Sequence, residues 1–426
     1  VENTTGKISQ APSVERGSLT TSADALGGPI ANAVTDGLIL NGGELTQTVT
    51  GSGSTVIDGD VVANSVISQA ITINTDKSLT TNAGNIGGAV ANEGTLDLNG
   101  GTLAQTVTGG GNTTISSAVI TNADITQNNL TINDVLTNNA ITSVNTIALN
   151  NNILGTGSLN LSGTNDISGS TNTISQDTIT NAGDLTANVG QISATNGMTN
   201  NNNLNLKGGV GSALENKLAI SGSGTTTFSD KVNNTGKIEQ AVVNNGELTP
   251  SADNITGTVD NTGTYNIQGG TISGIISGNG TINISDAVTS NVANTLTGDV
   301  NILKNATLAL GNTQTDLFEN ANTINAQNGS TISLINGSSA TTNMNNLAIA
   351  SGDSVNLQID WNDVLNSSSS NIEGNLNITK VDLTGQTTDE SYVLSNINNL
   401  NLSENIQLIS DTNFNNYLEL ENGVLG

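Results

Sequence analysis

The sequence predicts an all-β protein, a parallel β-helix (β-solenoid) with turns of about 17 to 19 residues and a C-terminal β cap. Apolar residues recur at a fixed interval in Leu248–Ile284, where Leu248, Tyr265 and Ile282 are 17 positions apart. Gly and Asn fill the gaps between them. The chain is 34% hydrophobic but only 2% aromatic, which suits thin aliphatic ladders better than a thick globular core. A coil that returns to its starting point every 17 residues stacks its inward side chains on the turn below.

Disorder is the alternative interpretation, because polar, low-complexity chains often bury too little apolar surface to fold. The aliphatic residues stand in periodic positions, however, and the chain has only 3 Pro in 426 residues. Both observations favour the solenoid.

Related units appear at residues 19–57, 79–115, 185–228 and 248–284 of a predicted solenoid that covers residues 1–344. In the second unit, Leu79 to Leu96 is 17 positions. In the first, Leu19 to Leu38 is 19 positions, so two residues are inserted. An insertion that shifts all later positions equally is how a surface loop on a repeat behaves.

Within a turn, short alternating runs such as Thr264–Ile267 predict strands with one face inward. Gly-Gly and Asn-Gly pairs are expected to supply left-handed backbone conformations at the corners. Stacked Asn and Thr residues are expected to form ladders between turns. The pairs are Gly42-Gly43, Gly100-Gly101, Gly269-Gly270 and Asn279-Gly280.

Residues 345–426 are predicted to form an acidic β cap or junction. From Asp353 onward this segment holds eleven of the 36 Asp and Glu residues but only one Lys, Lys380, and it holds the single Trp. Its strand alternation is longer, and the 17-residue interval is lost.

Net charge limits the partners. Nine Lys and Arg against 36 Asp and Glu give −27, so neither nucleic acid nor an anionic membrane surface is an expected partner. The chain has no run of 18 apolar residues, so direct membrane insertion of this segment as a helix is not expected. The opening VENTTGKISQ lacks a signal-peptide pattern, so either a signal was removed or the chain is an excised fragment.

Catalytic chemistry has little support. The chain has no His and no Cys, which excludes His-based acid–base chemistry, His metal sites and thiol catalysis, and its only Arg is Arg16. A hydrolase with paired carboxylates stays open, with Asp58 and Asp60 or Asp360 and Asp363 as candidates. Solvated turn or cap carboxylates are the simpler interpretation. We therefore assign no catalytic, cofactor-binding or metal-binding residue.

Sequence motifs give little support for binding of calcium, ice or phosphate. Acidic turns could bind calcium weakly, but no EF-hand or RTX-type repeat occurs. Thr46–Thr48 and Thr225–Thr227 suggest ice binding, although Thr does not recur at one phase over many turns. Gly51–Gly53 and Gly109–Gly111 are turn glycines with no following P-loop Lys.

Three stretches carry a family resemblance: Gly94–Leu103, Leu308–Gly337 and Ser354–Gly385. They resemble autotransporter-type bacterial surface passengers, β-helix adhesin-like repeat proteins. The resemblance implies a right-handed coil at the bacterial cell surface, outer-membrane anchored or secreted, with a barrel outside this chain. The lack of Cys agrees with that family, whose passengers cross the outer membrane unfolded.

The sequence therefore predicts a non-enzymatic extracellular bacterial surface protein, an adhesin or stalk-like passenger. Its partner would be an unknown host or surface ligand, protein or glycan. Binding is expected in the loops lengthened by insertion, around Pro29 to Gly37 and Ser212 to Lys217.

Overall fold

The chain folds as an all-β parallel β-solenoid of about 20 turns, with 54% of residues in strands and 2% in helices. This confirms the predicted fold class. The structure is a computed structural model that describes residues 2–3, 6–312, 314–385, 392–394, 400–410, 419–421 and 424–425. The chain divides into two compact units, Val1–Leu204 and Asn205–Gly426.

Most strands are short, and many are three or four residues long. The strands up to residue 207 are β1 (Glu2–Asn3), β2 (Ser13–Val14), β3 (Leu19–Thr21), β4 (Ile30–Asn32), β5 (Leu38–Leu40), β6 (Gly43–Leu45), β7 (Val49–Thr50), β8 (Ser54–Ile57), β9 (Asp60–Ala63), β10 (Ala70–Ile73), β11 (Ser78–Thr81), β12 (Val90–Asn92), β13 (Thr95–Leu103), β14 (Val107–Thr108), β15 (Asn112–Thr121), β16 (Ile125–Ile132), β17 (Leu136–Asn138), β18 (Ile141–Leu149), β19 (Ile153–Leu154), β20 (Ser158–Leu161), β21 (Asn165–Asp166), β22 (Ile174–Gln176), β23 (Thr178–Asn181), β24 (Leu185–Asn188), β25 (Ile192–Ala194), β26 (Met198–Asn200) and β27 (Asn203–Lys207).

The later strands include longer ones. They are β28 (Leu214–Asn216), β29 (Ile220–Ser221), β30 (Thr225–Ser229), β31 (Lys231–Asn234), β32 (Ala241–Asn244), β33 (Glu247–Pro250), β34 (Val259–Asn261), β35 (Thr264–Ile267), β36 (Gly270–Ile272), β37 (Ile276–Ser277), β38 (Thr281–Ile284), β39 (Ala287–Ser290), β40 (Val300–Ile302), β41 (Thr307–Leu310), β42 (Ile324–Ala326), β43 (Thr331–Ser333), β44 (Thr341–Ile349), β45 (Ser354–Asp360), β46 (Val364–Ile372), β47 (Asn375–Asp382), β48 (Tyr392–Val393), β49 (Leu400–Ile409), β50 (Leu420–Glu421) and β51 (Val424–Leu425). Single 3₁₀ turns lie at Ala23–Ala25, Ala83–Asn85 and Ala252–Asn254.

The parallel pairing follows the interval seen in the sequence. Leu248 lies opposite Tyr265, and Tyr265 lies opposite Ile282. Leu79 lies opposite Leu96 in the same way. The inserted residues of the first sequence repeat, residues 19–57, lie in the turn after Asn32. Beyond them Leu38 still pairs with Leu19. The insertion therefore lengthens a turn without changing the register.

Inward positions stack into continuous buried ladders, because every second residue of a strand points to the same face. In the first compact unit one ladder contains Leu19, Leu38, Thr55, Ile71, Val90, Val107, Ile125, Thr142, Leu159, Ile179 and Met198. In the second compact unit another contains Val232, Leu248, Tyr265, Ile282, Val300, Ile324 and Leu347. These ladders form the thin aliphatic core that the composition predicts.

Buried asparagines close the ends of several short strands. Asn92 ends β12, and its Nδ2 donates to the carbonyl of Asn112 in the next turn at 2.9 Å. Its Oδ1 accepts the N–H of Gly94 at 3.1 Å. One side chain thus satisfies a donor in its own corner and an acceptor in the neighbouring turn. The same arrangement recurs at Asn32, Asn138 and Asn244.

The predicted left-handed corners are confirmed for three of the four glycine pairs. Gly101 has φ 93°, and a Cβ there would lie 2.1 Å from the Oδ1 of Asn82, the N-cap of the adjacent 3₁₀ turn. The Gly42-Gly43 and Gly269-Gly270 pairs also have positive φ. The prediction for Asn279-Gly280 is wrong, since the positive φ of 95° lies at Gly278. Gly280 is needed for close approach instead, because a Cβ would lie 2.2 Å from the carbonyl oxygen of Gly263.

Parallel pairing continues beyond residue 345, with longer steps between turns. Thr341 lies opposite Val364, Val355 opposite Leu376, and Leu376 opposite Leu400. These steps are 23, 21 and 24 positions, by subtraction. The predicted domain boundary at this point stays a prediction.

Replacing Gly101 with Ala should destabilise the protein by roughly 1–3 kcal/mol, since it combines a left-handed φ with the contact to Asn82. The matched control is Gly169→Ala, because a Cβ at Gly169 meets no atom within 4 Å and its φ is not in the left-handed region. Guanidinium midpoints followed by circular dichroism measure both variants. Equal midpoints would contradict the assigned corner geometry.

Replacing Asn244 with Ala should lower the free energy of unfolding by roughly 1–3 kcal/mol, because buried polar partners are left unsatisfied. Asn244 donates to Asn261 Oδ1 at 2.7 Å and to the carbonyl of Thr264 at 2.9 Å. Asn245→Ala is the control, since Asn245 is exposed. A larger loss in the control would refute the role of the buried asparagines.

Candidate functional site

The carboxylates of Asp360 and Asp363 lie where β45 ends and β46 begins. Their residues are only 7% and 1% exposed. The structure therefore brings this predicted pair together, but it places the pair under a loop of the preceding turn, residues 336–340.

The carboxylate of Asp360 binds the backbone of that loop. Asp360 Oδ2 accepts the N–H groups of Asn336, Gly337 and Ser338 at 2.8, 2.8 and 3.3 Å. Consecutive amides that converge on one oxygen form a nest, a common way to bind an anion. Here the anion is a side chain of the protein itself.

Asp363 completes the arrangement. Its Oδ1 accepts the N–H of Ala340 at 3.0 Å, and its Oδ2 accepts the N–H of Asp360 at 2.7 Å. Ser339 Oγ donates to the carbonyl of Trp361 at 2.7 Å. Every described contact of the two carboxylates thus goes to the backbone of the loop or of the turn itself, which is a positioning role.

Burial raises the pKa of Asp363 to about 7. Desolvation is the main cause, the hydrogen bonds from Ala340 and Asp360 lower the pKa, and the charge of Asp360 raises it. An acid that titrates near neutrality suits proton transfer. A general acid must also reach its substrate, however, and both oxygens of Asp363 face backbone amides.

The other predicted pair, Asp58 and Asp60, is exposed at the junction of β8 and β9, where Asp60 is the first residue of β9. Asp58 Oδ1 accepts from Asn74 Nδ2 at 2.9 Å, and Asp60 Oδ1 accepts from Ser78 Oγ at 2.8 Å. Each carboxylate therefore contacts a polar side chain of the following turn. Arg16 is exposed.

The two loops predicted to bind a partner differ in structure. In the first, Asp36 has φ 52° and its N–H donates to Ser54 Oγ at 2.7 Å, which fixes the inserted turn. In the second, Leu214–Asn216 forms β28 and Glu215 pairs with Lys217 at 3.1 Å. Val210, just before this strand, is 87% exposed.

A groove of about 390 Å³ lies on the outer face of β16, β18, β20 and β23. We call it the β16–β23 groove. The inward residues of these strands are buried, so the residues between them point outward. Two outward rows follow the stacking direction. The first row is Thr126, Ser143, Asn160 and Thr180, and the second is Asn128, Asn145, Ser162 and Ala182.

The register aligns the first row. Thr126 lies opposite Ser143, Ser143 opposite Asn160, and Asn160 opposite Thr180. Asn160 Nδ2 donates to Ser143 Oγ at 3.0 Å. In the described part of the chain, the side chains of Thr126, Asn128, Asn145 and Thr180 form no hydrogen bond to protein. None of the described residues that line the groove is charged.

Sequence reasoning missed this groove, although part of its signal was present. Thr126, Ser143 and Asn160 recur at 17 positions, as do Asn128, Asn145 and Ser162 with steps of 17. This polar recurrence is the signal that marks the outward rows, whereas the apolar recurrence marks only the inward ladders.

Within the described residues, no three His, Cys, Asp or Glu side chains lie close enough together to hold a metal ion. The described helices are too short to cross a membrane. Comparisons with protein-family models, with curated proteins and with solved structures gave no match.

The buried Asp363 predicts a pH dependence of stability. Its pKa of about 7 in the folded protein lies well above the ordinary value for an aspartate, so the folded state holds this proton more tightly than the unfolded state. The contribution of Asp363 to stability is therefore most favourable below about pH 4 and is lost as pH rises through about 7.

Asp363→Asn removes the titration. The unfolding free energy of the native protein should fall relative to this variant by roughly 2–4 kcal/mol between about pH 4 and about pH 8. Denaturant titrations at several pH values measure the difference, with Asp382→Asn as a carboxylate control. A difference that does not change with pH would refute the buried acid.

Proposed function

We propose that this protein is a non-enzymatic extracellular bacterial surface protein, an adhesin-like or stalk-like passenger that presents a binding face. The observation that carries the proposal is the solenoid itself, whose repeating turns give each compact unit a regular outer surface. Repeat proteins commonly use such extended surfaces for binding.

The arrangement of the carboxylates supports a non-catalytic role. Asp360 and Asp363 fix the 336–340 loop through its backbone, and Asp58 and Asp60 contact the next turn. A glycosidase pair would need two carboxyl groups that face an open site on either side of a sugar bond.

The charge supports an extracellular surface. A net charge of −27 with few basic residues keeps a long polar protein from associating with itself. The resemblance of Leu308–Gly337 and Ser354–Gly385 to autotransporter-type passengers points the same way.

A carbohydrate-active hydrolase is the second candidate. The observation that favours it is the neutral-range pKa of Asp363 beside a second carboxylate, the combination that separates acid from base in many hydrolases. In this alternative the 336–340 loop would have to open before a substrate could reach the pair.

We expect no product when the protein is incubated with a panel of neutral and acidic polysaccharides and reducing ends are assayed. The control is the Asp360→Asn/Asp363→Asn double variant, which should give the same background. Reproducible turnover that disappears in the double variant would establish the hydrolase instead.

Location is measured separately, by antibody labelling of intact source cells. Labelling should be lost after brief protease treatment of those cells. Protection from protease in intact cells, with cleavage only after lysis, would contradict the surface location.

A further inference from the structure

We propose that the β16–β23 groove binds a linear, uncharged glycan, laid along the stacking direction of the turns. The inference rests on the proposed function, since it names the ligand class of a binding face on the solenoid.

The spacing of the groove suits a polymer of sugars. Successive members of the row Thr126, Ser143, Asn160 and Thr180 stand one turn apart, so the row spans roughly 14 Å at about 4.8 Å per turn. That step is close to the length of one pyranose residue in an extended chain. Each turn can therefore offer a polar group to one sugar of the polymer.

The groove also has free hydrogen-bonding capacity. Thr126 and Thr180 present hydroxyl groups, and Asn128 and Asn145 present amides, with no protein partner among the described residues. Hydroxyls and amides both donate and accept, as sugar hydroxyls do. A glycan can replace the water at these positions without leaving a polar group unpaired.

Charge selects an uncharged ligand. The described lining carries no charge, and the chain as a whole carries −27. An anionic polysaccharide would be repelled by the long-range field and would find no Lys or Arg in the groove. An apolar ligand would strip water from the amides and hydroxyls without replacing their hydrogen bonds.

A peptide strand is a poor fit. Strand addition needs an open sheet edge with unpaired backbone groups. The strands β18 and β20 each pair with a neighbour on both sides, so their backbone is already used. Nor do the described residues of the groove provide an aromatic side chain as an anchor.

Because the described residues of the groove include no aromatic side chain, we expect a low affinity for the glycan. Without a stacking platform, hydrogen bonds exchanged with water give weak affinity, so we expect a Kd on the order of 1 mM for one oligosaccharide. Useful attachment would then come from many protein copies on one polymer.

The test titrates the isotope-labelled protein with cellohexaose, maltohexaose and laminarihexaose, and follows backbone amide shifts by NMR. An oligogalacturonate serves as the anionic comparison. At least one neutral hexaose should shift the amides of β16, β18 and β20, and the oligogalacturonate should not. No shift with any neutral hexaose, or shifts confined to another face, would overturn the inference.

Variants locate the site. The double variant Thr126→Val/Ser143→Ala should raise the Kd by roughly tenfold, because it removes two hydroxyl groups and keeps the strand. Thr131→Val is the matched control, since Thr131 lies on the same strand outside the groove. Equal loss in the control would overturn the assignment.

The outcome is separable from the proposed function. Failure of every hexaose to bind removes the glycan groove and leaves a non-enzymatic surface protein intact. Cleavage of a bound hexaose, lost in the Asp363→Asn variant, refutes the non-enzymatic function and leaves the binding groove in place.

Discussion

Parallel backbone hydrogen bonding between successive turns is the constraint on which the rest of this structure depends. Each short strand has little stability alone, because two or three residues cannot repay their own ordering entropy. Pairing with the turn before and the turn after gives most of the described strands their partners and places equal positions above one another. The buried ladder from Leu19 to Met198 is the packing consequence.

The corners make that pairing continuous. A buried asparagine such as Asn92 joins two turns where the strand ladder is interrupted. Close backbone approach requires glycine at positions such as Gly280. In the Asp360–Asp363 turn, carboxylates satisfy the amides of the 336–340 loop, which has no strand to pair with. These polar side chains satisfy backbone hydrogen-bonding groups at the corners, which hydrophobic side chains cannot do.

The sequence interval predicted the fold because inward apolar residues must repeat whenever turns stack. Leu248, Tyr265 and Ile282 were sufficient for that, and their register is the observed one.

The conformation of Gly280 was not predictable from the Asn-Gly pair alone, because contacts with the neighbouring turn determine which glycine adopts the positive φ. The burial of Asp363 also depends on Ala340, 23 positions away, and local sequence carries no information about that contact. The β16–β23 groove includes Thr180, which lies opposite Asn160 but 20 positions after it, so the 17-residue interval does not locate this residue.

The register between turns can be tested most directly by cysteine crosslinking, since the chain has no cysteine of its own. Thr114 lies opposite Thr131 on neighbouring strands, a separation that a disulfide can span. Under mild oxidation the Thr114→Cys/Thr131→Cys variant should form an intramolecular disulfide, detected by mass spectrometry. The Thr114→Cys/Thr137→Cys variant, whose second site lies on the separate strand β17, should not. Failure of the first pair to crosslink, or equal crosslinking of both, would contradict the stacked register.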